Sequence, residues 1–178
     1  ALRLSEGGKQ DASEILMVLE MVQERAWQLI ERFLHEKKPM EIRTLVADLM
    51  RAMQYHITWN APVEKKHGQV DMVVHADPLG AKSTRILVQV KHKGQPVTVE
   101  GIKSFLSVLG QNDFGLLMST GGFTRDVAEE LSSRSYAKIN AMDLEKFFDL
   151  WIRNYDKLEQ DARSRLPLKL IYFLSPAE

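Results

Sequence analysis

The hydrophobic period of this chain switches between residues 54 and 55, and that switch limits the fold more than any other feature. Before it, apolar residues recur at helical spacing. Ile15, Leu16, Leu19, Val22, Ala26, Leu29, Ile30 and Phe33 form one stripe, which predicts a helix over 12–36 with Gly7-Gly8 as a breaker ahead of it. Ile42, Leu45, Val46, Leu49, Met50 and Met53 form a second stripe, which predicts a helix over 40–54 with Pro39 suited to its first turn. After the switch the pattern alternates. Tyr55, Ile57 and Trp59 against His56, Thr58 and Asn60 read as a strand. Val70 to Ala76 and Thr84 to Lys91 read as two more, and the turn sequence Asp77-Pro78-Leu79-Gly80-Ala81-Lys82-Ser83 joins them as an antiparallel hairpin.

Beyond Pro96 strands and helices alternate. A helix is expected over 98–109 and a strand buried on both faces over 114–118. A helix over 123–133, a strand over 137–142 and a helix over 143–160 follow. Leu144, Phe147, Phe148, Trp151, Ile152 and Tyr155 line the inner stripe of the last helix. The apolar piece 168–174 reads as an extended tail. Helices, then a hairpin, then alternating elements give an α/β sandwich with a mixed central sheet. The expected division is an N-terminal helical extension, 1–36, and a main domain, 37–178.

Composition narrows the function classes. No cysteine is present, which removes disulfides and thiolate zinc sites and fits a reducing cytoplasm. No apolar run approaches the ~20 residues that span a bilayer, so no membrane role is expected, and no signal-peptide pattern is visible. The chain begins with Ala rather than Met, which leaves upstream domains open. Formal net charge is zero, so nucleic-acid binding needs a local basic surface. Residues 64–103 carry seven Lys or Arg (65, 66, 82, 85, 91, 93 and 103) against four acids (64, 71, 77 and 100). An ordinary solvated face explains that excess equally well.

Chemistry concentrates on the hairpin. Asp71 and Gln89 are each nine residues from Gly80, so a turn centred there sets them opposite one another. Alternation puts Gln89 and Lys91 on one face. A carboxylate and an amide oxygen suit a hard cation such as Mg²⁺ or Mn²⁺, and the carbonyl of Val90 is a candidate third ligand. Lys91 is placed to orient a water or to stabilise charge developing on a phosphate. Glu41 is a candidate second carboxylate if its helix packs on the hairpin; otherwise it complements the helix dipole. Taken singly, the residues have plainer readings: Asp71 as a turn residue, and Gln89 with Lys91 as a solvated face.

Other motifs carry less. Gly80-Ala81-Lys82-Ser83-Thr84 lacks the Gly directly before Lys and the following helix of a phosphate loop. Gly121-Gly122 precedes a helix whose N-terminus suits a phosphate, or is a tight turn. His56, His67, His75 and His92 match no metal-ligand spacing and read as solvated surface, with His92 near DNA only through its neighbour Lys91. Ser119 lacks a nucleophile-elbow context.

His67-Gly68-Gln69-Val70-Asp71 followed by Val88-Gln89-Val90-Lys91 resembles the Mrr-like restriction endonuclease catalytic domain. This is a branch of the PD-(D/E)xK nuclease superfamily with Gln in place of the second acid. Further parts agree in order. Pro39-Met40-Glu41 with Leu45-Val46 resembles the family's opening helix, and Asp77-Pro78-Leu79-Gly80 resembles a subgroup's hairpin loop. Ser119-Thr120-Gly121-Gly122-Phe123-Thr124 resembles the strand-to-helix turn. Trp151, Tyr155, Leu166-Pro167-Leu168 and Ile171-Tyr172-Phe173-Leu174 resemble the subgroup's C-terminal signature.

The resemblance spans about residue 25 to the end. It implies a restriction-endonuclease-like core, dependence on a divalent metal (Mg²⁺ or Mn²⁺), and DNA as partner and substrate. By motif position, Asp71 and Gln89 hold metal, Lys91 is the catalytic lysine, and Glu41 is the further acid. The implied function is an endodeoxyribonuclease of restriction or DNA repair. Two alternatives stay open: a nuclease-fold module that binds DNA or a partner but cuts poorly, and an interaction domain that homodimerises through the first helix. Gln69 stands where the family has a second Gly, which narrows the approach to phosphate. The separate N-terminal recognition domain usual in the family is not visible.

Overall fold

The structure, a computed structural model, describes residues 6–62, 70–79, 85–92, 94–131 and 136–171, with side chains from residue 15. The chain divides into two compact units, Lys37–Pro167 and a second composed of Ala1–Glu36 with Leu168–Glu178. The second unit holds helix α1, Glu6–His35. It runs through Gly7 and Gly8 instead of starting after them, since a glycine costs a helix only about 1 kcal/mol. No helix among the described residues is long and apolar enough to cross a membrane.

The larger unit opens with α2, Pro39–Ala52. Pro39 takes the first turn, where its missing N–H costs nothing, and Ile42, Leu45, Val46, Leu49 and Met50 are buried as their spacing predicts. The helix closes in a Schellman motif. Gln54 stands at a φ of 69° and donates to the Arg51 carbonyl, while the Tyr55 N–H reaches the Met50 carbonyl (both 2.9 Å).

Five strands follow: β1 His56–Asn60, β2 Met72–His75, β3 Arg85–Lys91, β4 Asp113–Ser119 and β5 Ile139–Met142. They lie side by side in chain order. β1 with β2 and β2 with β3 are antiparallel, and β3 with β4 and β4 with β5 are parallel. The sheet is mixed, as the pattern predicts. Helix α3, Val99–Leu106, makes the crossover from β3 to β4, and α4, Arg125–Leu131, the one from β4 to β5.

Register sorts the two faces. Leu117 pairs with Gln89, and Gly115 with Ile139. Leu117 and Ile139 pack with Val97, Ile102, Phe105, Val127 and Tyr136 in one core, so the odd-numbered residues of β3 and β4 face α3 and α4. The even-numbered residues Val88 and Met118, with Met72, Val74 and Met142, are buried on the opposite face. α2 packs against β1 and β3, and α5, Leu144–Arg153, against β5 and α2.

Two further expectations change. The alternation read over 55–60 does not appear as burial: Thr58, Trp59 and Asn60 are all exposed. β1 is an edge strand, and its register shifts between Ile57 and Trp59, which breaks the alternation of faces. The helix read over 143–160 is three pieces: α5, a 3-10 turn Tyr155–Lys157 and α6, Gln160–Arg165. Asn154 ends α5 by donating its side-chain amide to the Leu150 carbonyl at 2.9 Å. The break brings Arg165 onto Asp48 of α2 at 2.6 Å. The hairpin loop residues 80–84 and the tail beyond 171 lie outside the described residues.

At the far end of β3, Arg85 holds Asp113 with two bonds, Nε–Oδ1 at 2.6 Å and Nη2–Oδ2 at 3.2 Å. The Gly110 N–H adds a third at 2.8 Å. The Arg85 hydrogen bonds hold the Asp113 carboxyl below its usual value; burial opposes them, and the Gly110 N–H assists. A carboxyl lowered in the folded state contributes stability above its unfolded value, near pH 4, and loses it as pH falls through the folded value.

Two predictions follow from these contacts. Asp113→Asn is expected to flatten the decline of stability below about pH 5 and to cost about 1 kcal/mol at neutral pH, since water screens the exposed side of Arg85. Urea unfolding from acid to neutral pH checks this; an unchanged acid slope contradicts it. Gln54→Gly removes a side chain from a left-handed position and is expected to stabilise the protein by about 0.5–1 kcal/mol, read as a rise in melting temperature.

Candidate active site

The site lies at the carboxyl end of β3, where the sheet changes from antiparallel to parallel pairing. Met72 pairs with Val88 and Val73 with Leu87. One further step would set Asp71 against Gln89, as counting around Gly80 predicts. The backbone ladder stops short of that pair. The Asp71 N–H donates to the Val88 carbonyl at 2.7 Å, and the Val90 N–H donates to Asp71 Oδ2 at 2.7 Å. A side-chain carboxylate thus takes the place of a backbone acceptor. In a strand, the N–H and C=O of one residue point the same way, so the Val90 carbonyl is directed to the side from which Asp71 approaches.

Asp71 and Gln89 are both buried, at 7% and 4% exposure. The other carboxylate oxygen, Oδ1, faces Arg43 Nη1 at 3.3 Å. Arg43 is anchored by a 2.7 Å bond from Nη2 to the Ala61 carbonyl. The Ala61 N–H in turn donates to the Asp71 carbonyl at 2.8 Å. Sequence reasoning missed Arg43. Its signal was its place beside Ile42 of the buried stripe, because an arginine at a core boundary is normally paired.

Glu41 is turned elsewhere. Its Oε2 accepts from the Lys38 N–H at 2.8 Å and its Oε1 faces Lys37 Nζ at 3.3 Å. These contacts hold its carboxyl below the usual value, the Lys38 N–H contributing most. Glu41 belongs to a capping box at the start of α2, and the α2 side chain that contacts Asp71 is Arg43.

Lys91 ends β3 on the α3 face. Its Nζ lies 3.3 Å from where a Cβ on Gly101 would stand, and that Cβ would also meet Val97 Cγ1 at 2.9 Å. Glycine there leaves a berth for the ammonium against the first turn of α3. Lys91 pairs with Ser119 of β4, whose buried hydroxyl has no hydrogen-bond partner among the described residues.

His92 is not a solvated side chain approaching a ligand. Nε2 lies 2.6 Å from the Lys37 carbonyl and Nδ1 3.0 Å from Thr120 Oγ1. With the proton on Nε2 for the carbonyl, a neutral ring accepts the Thr120 hydroxyl on Nδ1. The ring ties the residue ahead of α2 to the end of β4.

Gly121-Gly122 forms a turn. The Gly122 N–H donates to the Ser119 carbonyl at 3.4 Å and its carbonyl accepts from the Val97 N–H at 2.9 Å. Gly122 stands at a φ of 72°, which glycine adopts freely. α4 begins only at Arg125. His67, Gly68 and Gln69 lie outside the described residues.

Asp71 thus meets Arg43 and the Val90 N–H, and Gln89 and Lys91 follow on the odd-numbered face of β3. No group of three His, Cys, Asp or Glu suited to a metal ion occurs among the described residues.

Known proteins carry the same fold. The chain is similar to the MspJI restriction endonuclease in complex with a 27-mer oligonucleotide, with a TM-score of 0.56 and 18% identity, covering 81% of this chain and 35% of that one. It is also similar to the DNA modification-dependent restriction endonuclease AspBHI, with a TM-score of 0.58 and 13% identity, covering 79% of this chain and 38% of that one. This chain spans little more than a third of the length of either. No match was found among curated proteins. The Mrr catalytic family, described as restriction endonuclease, matches residues 34–151. That stretch is well over half of the chain and includes β1 to β5, so the chain belongs to the Mrr-type restriction endonuclease family.

Proposed function

We propose that this chain is the catalytic part of a divalent-metal-dependent endodeoxyribonuclease, acting in restriction or DNA repair. What supports the reading is a buried carboxylate, Asp71, bonded to the Val90 N–H near the carboxyl end of β3, with the buried Gln89 and the half-buried Lys91 on either side of Val90 in sequence, in a chain of a restriction endonuclease family. The two neighbours of the same fold are restriction endonucleases, one of them bound to an oligonucleotide, which supports DNA as the substrate.

The residues present fit a hard cation by donor chemistry. Asp71 Oδ1 and Oδ2 accept from Arg43 and from the Val90 N–H, and a carboxylate oxygen carries more than one acceptor site. The Gln89 amide oxygen and the Val90 carbonyl complete an all-oxygen set of the kind Mg²⁺ or Mn²⁺ prefers. Glu41 enters this set only if its capping contacts with Lys37 and Lys38 open. When bound, the cation supplies Lewis acidity to the phosphate and lowers the pKa of a bound water.

The protein's own groups do the rest. Lys91 holds an ammonium where negative charge develops on the phosphate, or orients the attacking water through its N–H donors. Burial of Asp71 and Gln89 lowers the local dielectric and strengthens both effects. The plainer reading, a module that binds DNA but cuts poorly, is favoured by one observation: Asp71 is compensated by Arg43, and no group of three His, Cys, Asp or Glu suited to a metal ion occurs among the described residues.

Plasmid incubation with and without Mg²⁺ or Mn²⁺ separates the two. Wild type is expected to nick or linearise DNA only with metal. Lys91→Ala and Asp71→Ala are each expected to lose at least about 100-fold in rate, the scale of a lost electrostatic or metal-binding group, with Lys91→Ala keeping its melting temperature. Undiminished turnover by Lys91→Ala overturns the assignment. DNA affinity is expected to fall as salt rises, because phosphate contacts release counterions; fluorescence anisotropy across a salt series reads the slope.

A further inference from the structure

Arg43 stands where a nuclease dependent on Asp71 has most to lose from a fixed positive charge. Asp71 Oδ2 accepts from the Val90 N–H at 2.7 Å, and a cation reaching the carboxylate also meets Oδ1. That same oxygen faces Arg43 Nη1 at 3.3 Å. The contact is longer than the 2.7–2.9 Å usual for a charge-assisted bond. The shorter bond from this guanidinium, 2.7 Å, goes to the neutral Ala61 carbonyl. Arg43 is therefore pinned by a backbone group and leans loosely on the carboxylate.

Electrostatics decides what this arrangement does. The Arg43 charge offsets Asp71, Lys91 stands at the other side, and Glu41 is held by Lys37 and Lys38. A divalent ion reaching Asp71 in the free protein would meet a carboxylate already paired with the Arg43 guanidinium. Like charges a few ångströms apart in a half-buried site repel strongly. A phosphodiester reverses the balance: it adds negative charge, and a guanidinium matches phosphate with its forked N–H donors.

We propose that Arg43 is a counter-ion switch. It holds Asp71 compensated in the free protein and releases it to a divalent cation when a DNA phosphate takes the guanidinium. Metal loading and DNA binding then reinforce each other, as linkage requires. The inference rests on the proposed nuclease reading and adds an order of events to it.

Isothermal titration of Mn²⁺ into the protein without DNA tests the switch. Arg43→Met removes the charge and keeps much of the length, and it is expected to bind Mn²⁺ at least about tenfold more tightly than wild type. Arg43→Lys keeps the charge and is expected to stay within about threefold of wild type. A merely structural role would weaken Mn²⁺ binding in both. Should Arg43→Met fail to fold, Arg43→Gln, neutral and able to bond the Ala61 carbonyl, carries the same expectation. Wild type is also expected to gain at least about tenfold in Mn²⁺ affinity on adding a non-cleavable phosphorothioate duplex, and the neutral variant to gain less. Equal or weaker Mn²⁺ binding by the folded neutral variant, while wild type still cuts plasmid, overturns the switch and leaves the nuclease. No Mn²⁺ binding and no cleavage in any of the proteins overturns both.

Discussion

The hydrogen bond from the Val90 N–H to Asp71 Oδ2 is the contact on which the site depends. A buried amide without an acceptor costs about 1–3 kcal/mol, so at this part-buried position the carboxylate helps to close the end of β3. Because a side chain fills the place of a backbone carbonyl, the β2–β3 ladder ends one pair early. The Val90 carbonyl is turned to the same side. The termination of the hairpin and the seating of the Asp71 carboxylate at the end of β3 are one structural event.

The two cations of the site arrive from opposite faces. Arg43 comes from α2, which covers the even-numbered face of the sheet, and is steadied by the Ala61 carbonyl. Lys91 projects on the odd-numbered face and rests against Gly101 of α3. The Asp71 carboxylate lies at the margin of the ladder, bonded to the Val90 N–H. His92, bonded to the Lys37 carbonyl and Thr120, fixes the start of α2 relative to β4 and so keeps Arg43 within reach.

Much of this was legible in the sequence, for local reasons. The stripe in α2 and the alternation in β2 report burial directly, and symmetric counting around Gly80 gave the register because a hairpin fixes it. What failed depended on contacts distant in sequence. Arg43 and Asp71 are 28 residues apart, and nothing local says that the α2 side chain reaching the hairpin is Arg43, with Glu41 turned into a cap. The break at Asn154 was hidden because the apolar stripe continues to Tyr155 across it. His92 read as surface because its two partners, Lys37 and Thr120, come from different ends of the domain. The Glu41, Gln89 and Val90 roles rest on chemistry that geometry alone does not assign.

The hairpin's geometry also separates two kinds of evolutionary freedom. His75 and Arg85, which bound the β2–β3 connection, lie at the opposite end of β3 from Lys91, roughly 20 Å away at the usual rise per residue. Arg85 and Asp113 lock that distal end independently. Insertions or deletions between His75 and Arg85 can therefore accumulate with little mechanical effect on the carboxylate, amide and ammonium. One end of the same pair of strands is open to lineage-specific variation while the other is held to a fixed geometry.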